Sequence, residues 1–287
     1  MARRFEETLH GGYVQAMDIS GDPLVDERSD FQHIQIFDTP VNGRVLALDG
    51  IVQLSDRDEA SYSEMLVHPP LLEHGAPRRI LIVGGGDGAV AEEALKYKDV
   101  EGIDLVEIDP RVIEVAREHL QMVHGGAFDD DRLHVVNMDA FKFLRDEADI
   151  AGRYDLIVAD RPDPVGPAQS LFAKEFYDLV ARALSPRGVA VFQSGCPFYQ
   201  AEELTQTLRM LGDSFQKSGV YLTVTPTYTG GYMALTWGSS QLDFGRTATQ
   251  DEIAGRFAAA GVECEHYTPA LHMAAFALPR WIEELIP

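Results

Sequence analysis

The sequence predicts an α/β protein: a doubly wound, mainly parallel sheet preceded by a small antiparallel β domain. Two observations predict it. From residue 79 onward, short apolar β-branched runs alternate with helix-forming segments, the pattern of parallel strands joined by helical crossovers. Before residue 66 the apolar runs are short, one of them partly alternating, and the hairpin signals Asn42-Gly43 and Asp49-Gly50 lie among them.

In the N-terminal unit, residues 1–66, strands are expected at Tyr13–Met17, Phe31–Phe37 and Arg44–Leu48. Acids at 56–59 mark a helix start. That helix carries Tyr62, Met65 and Leu66 and should stop before Pro69 and Pro70, because a residue preceding proline is pushed out of helical backbone. In the second unit, residues 67–287, strands are expected at 79–83, 102–107, 133–136, 154–159 and 188–193. Helices are expected near 89–97, 110–120, 140–147, 171–184 and 200–212. Phe172, Phe176, Leu179 and Val180 recur at helical spacing and should face the sheet. Tyr221–Thr225 and Tyr232–Trp237 flank Tyr228–Gly231 and read as an antiparallel pair closing the sheet, and a last helix covers about 250–260.

The chain has 287 residues, enough for one large core or two domains. Its two cysteines, Cys196 and Cys264, build no disulfide framework and sit in no metal-ligand spacing, so a cytoplasmic, reducing setting is expected. The first residues lack the apolar stretch of a signal peptide, and no run reaches the length of a membrane span. A net charge of −22 repels nucleic acid and concentrates small cations, although it also serves plain solubility.

The stretch Arg79–Ala91 organises the chain: an apolar run, a glycine turn and a helix former, the opening unit of a Rossmann-like sheet of the type found in S-adenosylmethionine-dependent methyltransferases. The spacing of Gly86, Gly88 and Ala91 fits a dinucleotide fingerprint, but Asp87 inside the turn would repel a pyrophosphate and attract a cation. A sulfonium nucleoside fits better; a turn aspartate facing water is the plain alternative. Ligands of such sheets bind at the carboxyl ends of the strands. There Glu107, nineteen residues past Gly88, stands where an acid grips a ribose diol, while Asp109 caps the helix opened by Pro110. Asp139 either accepts an adenine amino group or caps the next helix. Asp160 and Asp163 frame a stiff loop with three prolines, suited to binding and deprotonating an amine; a turn that merely begins with acids is the alternative.

With these positions in view, the chain resembles the spermidine synthases, the polyamine aminopropyltransferases, and most closely their bacterial branch. The resemblance runs from Glu6–His10 to Ala274–Pro279 and is carried by Leu48–Gln53, Gly84–Gly88, Asp163–Pro167 and Pro226–Tyr228. It implies decarboxylated S-adenosylmethionine as co-substrate, methylthioadenosine as product, a diamine acceptor such as putrescine, no permanently bound cofactor or metal, and a homodimer. By position, Gln32, Asp87, Glu107, Asp139 and Ala140 would hold the donor, with Glu107 on the ribose, Asp139 on the adenine and Pro167 against the nucleoside. Asp160 would accept the proton, and Tyr62, Asp163, Gln193 and Tyr228 would line the diamine channel. Two residues depart from the family pattern. Ser63 replaces a longer His or Gln toward the donor's propylamine end. Arg161 stands between the loop acids, where it either lowers the pKa of Asp160, meets a substrate carboxylate, or points outward to solvent.

The implied reaction is an in-line displacement at the propyl carbon, with the sulfonium already an activated leaving group. Alternatives are a different acceptor (agmatine, cadaverine, a triamine or a carboxylated diamine), a methyltransferase using intact S-adenosylmethionine, a nicotinamide oxidoreductase, or a non-catalytic polyamine binder. Asp87 argues against the second and third.

Overall fold

The computed structural model describes residues 3–162 and 170–287. A two-stranded antiparallel ribbon, β1 (Arg4–Glu7) with β2 (Gln15–Asp18), opens the chain. A four-stranded antiparallel sheet follows in simple order: β3 (Val25–Arg28), β4 (His33–Thr39), β5 (Gly43–Leu48) and β6 (Ile51–Ser55). Asn42-Gly43 and Asp49-Gly50 lie at its two tight turns, with Asp49 and both glycines at positive φ. Three of these six strands were not expected. β1 and β3 are short and charged, with outward acids and arginines beside buried Phe5 and Val25, so little apolar alternation marks them.

Helix α1 (Ala60–His74) corrects a sequence expectation. It runs through Pro69 and Pro70 and ends at Gly75, whose φ is 84°. A proline at 69 cannot donate to the Met65 carbonyl. The Tyr221 hydroxyl fills that gap at 2.7 Å, so the carbonyl stays satisfied and the helix continues. The acids at 56–59 precede the helix rather than forming its first turn. Asp58 is spent on the loop at 225–229, accepting from the Thr227 amide at 2.7 Å and its hydroxyl at 3.1 Å.

The remainder is one seven-stranded sheet with β7 (Arg79–Gly84), β8 (Gly102–Glu107), β9 (Leu133–Asn137), β10 (Tyr154–Asp160), β11 (Leu184–Gln193), β12 (Lys217–Thr223) and β13 (Met233–Ser239). Their order is β12-β13-β11-β10-β7-β8-β9. The five strands β7 to β11 are mutually parallel, and β13 is antiparallel to β11 and β12. Helices α2 (Ala89–Leu95), α3 (Pro110–His119), α4 (Gln121–His124), α5 (Ala140–Asp146), α6 (Lys174–Ala183) and α7 (Ala201–Ser214) make the crossovers and flanks. Ile80–Val83, Leu156–Ala159 and Val189–Phe192 are at most 1% exposed, as expected where helices cover both faces of a sheet. Phe172 lies before α6, not on it; Phe176, Tyr177 and Val180 are the helix residues driven into the core.

After α8 (Gln250–Ala260), the last helix expected, come α9 (Pro269–Ala275) and α10 (Arg280–Glu283). The Glu64 carboxylate pins this tail to α1 by accepting the amides of Glu265, His266 and Tyr267. Among the described residues, no helix is long and apolar enough to cross a membrane.

Candidate active site

The strand order reverses between β7 and β10. β7 leads outward to β8 and β9, and the chain then returns to lay β10 on the other side of β7. Side-by-side strands whose connections leave in opposite directions open a crevice at their carboxyl ends. Gly84 and Asp160 are register partners at that point. Gly84 has φ of 80°, and a methyl group there would lie 2.0 Å from the Asp160 carbonyl oxygen. Glycine is therefore required for the two strand ends to meet. Gly86 has ordinary φ but faces Glu107; a methyl there would stand 3.0 Å from Glu107 Oε2.

One large pocket occupies this crevice. Gln32, Tyr62, Ser63, Asp87, Glu107, Asp139, Ala140, Asp160, Gln193 and Tyr228 all line it. Asp163 and Pro167 lie outside the described residues. So ten positions chosen from sequence, spread from residue 32 to residue 228, converge on one cavity.

Asp160 ends β10, and its Oδ1 accepts the Tyr62 hydroxyl at 2.7 Å. Burial and the nearby Asp87 charge push its carboxyl up to about 7; the Tyr62 hydrogen bond pulls the other way and Glu107 adds to the rise. Asp87 accepts the Ala89 amide at 2.8 Å, and burial raises its carboxyl against that bond. Glu107 is 8% exposed, with Oε1 accepting the Asp109 amide at 2.9 Å. Burial pushes it up to about 7, eased by that amide and aggravated by the charges of Asp109 and Asp87. The pocket therefore holds carboxyls poised near neutrality, the condition in which a group both binds cations and exchanges protons.

Of its two sequence readings, Asp139 performs the helix cap. Its Oδ1 caps α5, accepting from Phe141 at 2.8 Å and Lys142 at 3.2 Å, while the residue lines the pocket. Gln32 is tied by Nε2 to Asp109 Oδ2 at 3.0 Å, and Asp109 caps α3 as expected. Tyr228 donates to the Gln53 carbonyl and packs edge-on against Tyr62, centroids 5.6 Å apart. Gln193 ends β11 and is 7% exposed.

Arg161 lines the pocket but departs from two of its sequence readings. It is 2% exposed, not turned to solvent. Its guanidinium lies 3.7 Å from the Phe172 ring centroid, among Phe176, Tyr177 and Phe192, and donates to the Leu171 and Gln193 carbonyls and, at 3.0 Å, to Tyr177 Oη. Nor does it lower Asp160, whose carboxyl is raised. The apolar cage explains both facts: the charge is spent on aromatic faces and backbone oxygens behind the strand end.

Three acids of the pocket fall outside the set expected from sequence. Asp49 sits in the turn between β5 and β6, its Oδ1 accepting the His33 amide at 2.9 Å. Glu7 sits in the unexpected strand β1, is 6% exposed, and accepts the Val52 amide at 2.8 Å. Glu59 immediately precedes α1. The fold also gathers Glu64, His68 and Cys264, which no sequence spacing marked. Glu64 is committed to its three amides, while His68 meets Tyr97 Oη at 2.9 Å, Cys264 Sγ at 3.2 Å and Glu93 at 2.9 Å. That arrangement staples the tail to α1 and α2.

A family model described as the spermine/spermidine synthase domain matches residues 59–247, and one described as the spermidine synthase tetramerisation domain matches residues 5–56. A curated polyamine aminopropyltransferase of Ruegeria sp. is 43% identical over 281 residues, covering 98% of this chain and 97% of the relative. That of Shigella boydii is 40% identical over 284 residues, covering 99% and 97%. Among solved structures, a spermidine synthase in complex with the transition state analogue AdoDATO aligns with a TM-score of 0.93 at 32% identity, covering 100% of this chain and 96% of the other. The spermidine synthase from Thermotoga maritima aligns with a TM-score of 0.91 at the same identity and coverage. Similarity at this level along the whole chain, on a crevice already rimmed with buried carboxyls, means that the protein belongs to the spermine/spermidine synthase family.

Proposed function

We propose that this chain is a polyamine aminopropyltransferase that moves the aminopropyl group of decarboxylated S-adenosylmethionine onto putrescine, giving spermidine and methylthioadenosine. The observation that carries the reading is Asp160. It is a half-buried carboxyl at the switch point, held at one oxygen by Tyr62 and poised near 7. An alkylammonium titrates near 10 and is not nucleophilic until it loses a proton, so a base of this kind has a task here.

The donor's ribose is read against Glu107 and its adenine against Asp139 and Ala140, with Gln32 closing that end. Asp87 stands nearest the glycine turn and faces the sulfonium and propylamine end. The acceptor lies between Tyr62, Tyr228 and Gln193, with Asp163 assigned to the same channel from sequence and Pro167 to the nucleoside. The neutral amine attacks the propyl carbon bonded to sulfur. The C–N bond forms as the C–S bond breaks, the electron pair passes to sulfur, and Asp160 takes the amine's proton. Alignment supplies much of the rate, since both reactants are held rather than encountered.

Arg161, on which with Ser63 the carboxylated-diamine alternative rests, lines the pocket while engaged by Tyr177, Leu171 and Gln193, which favours putrescine over that acceptor. The remaining proposals come from sequence: a homodimer, a cytoplasmic setting consistent with two cysteines that are not joined in a disulfide, and working units of 1–66 and 67–287. Light scattering separates dimer from tetramer.

The test is methylthioadenosine release with the decarboxylated donor and a panel of amines. Release with putrescine and a spermidine-mass product supports the reading; no release with any amine removes it. In the same assay Asp160→Asn should lose about two to four orders of magnitude in turnover while keeping donor affinity. Near-normal turnover would take the base role from Asp160.

A further inference from the structure

Three pocket acids have no part in the reaction as described: Glu7 and Asp49, which accept the Val52 and His33 amides, and Glu59. Glu59 precedes α1 with helical backbone, φ −58° and ψ −36°, in the same wall as Tyr62, Ser63 and Asp87. Its Oε2 accepts the Ser63 hydroxyl at 2.6 Å, and the same hydroxyl lies 3.1 Å from the Glu59 carbonyl. Ser63 is 1% exposed and has one proton to give, which both contacts assign to Glu59. Ser63 is thus a short side chain turned onto its neighbour. The group left to meet a ligand on this wall is the Glu59 carboxyl, which is only half-buried.

We propose that Glu59, oriented by Ser63, is a donor-recognition residue that joins Asp87 in holding the primary ammonium of decarboxylated S-adenosylmethionine and turns away the intact, carboxylate-bearing donor. The inference rests on the proposed function. The chemistry follows from the two donors. Decarboxylated donor ends in an ammonium alone, which two carboxylates attract. Intact donor carries a carboxylate on the same carbon; once its ammonium has displaced the acids' protons, that group faces them as a like charge. Burial, with Glu93, Asp87 and Glu92 nearby, pushes Glu59 up to about 8 against the Ser63 bond. The empty site therefore keeps a proton on Glu59 that an arriving ammonium displaces.

Titration calorimetry on wild type and Glu59→Gln with three ligands tests this: decarboxylated donor, intact S-adenosylmethionine and methylthioadenosine, which has no ammonium. Glu59→Gln should bind decarboxylated donor roughly tenfold or more weakly, the loss expected for a charge-assisted bond. It should bind methylthioadenosine as wild type does, so the preference for decarboxylated over intact donor narrows. Repeating wild type in buffers of different ionisation enthalpy should show a proton released with decarboxylated donor and none with methylthioadenosine. Unchanged binding of decarboxylated donor overturns the inference, and so does an equal loss for methylthioadenosine, which would mark a structural residue. Where Glu59→Gln does not fold, Ser63→Ala is the second variant. It should weaken decarboxylated donor alone, and unchanged binding overturns the inference. If wild type binds none of the three ligands, the proposed function itself falls. If wild type binds them and only the variants behave unexpectedly, the failure belongs to Glu59.

Discussion

Tyr62→Phe isolates the hydrogen bond that sets Asp160. The Tyr62 hydroxyl donates to Asp160 Oδ1 at 2.7 Å and pulls that carboxyl down against burial and the charges of Asp87 and Glu107. A hydrogen bond to a charged group is worth about 1.5–3 kcal/mol, and one pKa unit corresponds to about 1.4 kcal/mol. Removing it should raise Asp160 by about one to two units from its value near 7. At pH 7 the ionised share would drop from about half to between a tenth and a hundredth, so turnover should fall about 5- to 50-fold. The ring itself remains, keeping its edge contact with Tyr228 at 5.6 Å. The assay is methylthioadenosine release across pH for both enzymes. The bound sulfonium lowers the acidic limb in each, so the displacement between the two curves is what counts. The variant's limb should move to higher pH and its rate should approach wild type at the alkaline end. A limb that stays in place, or a loss that persists at every pH, refutes the claim that Tyr62 acts by tuning this base.

Arg161→Met should destabilise the protein by about 1–3 kcal/mol in urea unfolding, because the Leu171 and Gln193 carbonyls and Tyr177 Oη lose a buried donor. Arg161→Lys should not restore it, since one ammonium cannot reach three acceptors on different elements. Stability should fall as pH rises from about 5 to about 8. Asp160, Glu107 and Glu59 have folded-state values raised to about 7, 7 and 8, so in that window the folded chain holds protons that the unfolded chain has lost. Each such group contributes about 1.4 kcal/mol per pH unit at most, and melting temperatures at constant ionic strength read the slope. Stability that instead rises through this window would mean the carboxyls are ionised in the folded state.

The sheet was legible because its strands are buried on both faces and therefore written as continuous Val, Ile and Leu runs, as in Ile80–Val83 and Leu156–Ala159. The strand ends then located the pocket, since topology alone sends polar residues there to one edge. What was illegible depended on partners distant in sequence. α1 survives Pro69 because the Met65 carbonyl is met by a tyrosine 156 positions further along the chain. β1 and β3 carry charges because they lie at edges, and their alternation is too short to stand out. Arg161 reads as a surface residue until Phe172, Phe176, Tyr177 and Phe192 are folded around it. The tail helix α9 carries a local signal: Thr268 followed by Pro269 is a capping residue before a first-turn proline, and the Thr268 hydroxyl accepts the Leu271 amide at 3.0 Å.

The same acids that make the pocket a cation site make it costly when empty. Burial raises the proton affinity of Asp87, Asp160, Glu107 and Glu59, the Asp87 charge adds to the rise in the other three, and none draws on the buried Arg161 for relief. Neutral carboxyls are the cheapest way to keep such a cavity intact without ligand. A sulfonium and an ammonium entering together can replace those protons with fixed positive charge, which a phosphate cannot do. Selectivity for cationic nucleosides then needs no single dedicated contact. It follows from several carboxyls that share one field, and it should weaken in steps as they are neutralised one at a time, each loss softened by the lower proton affinity of the acids that remain.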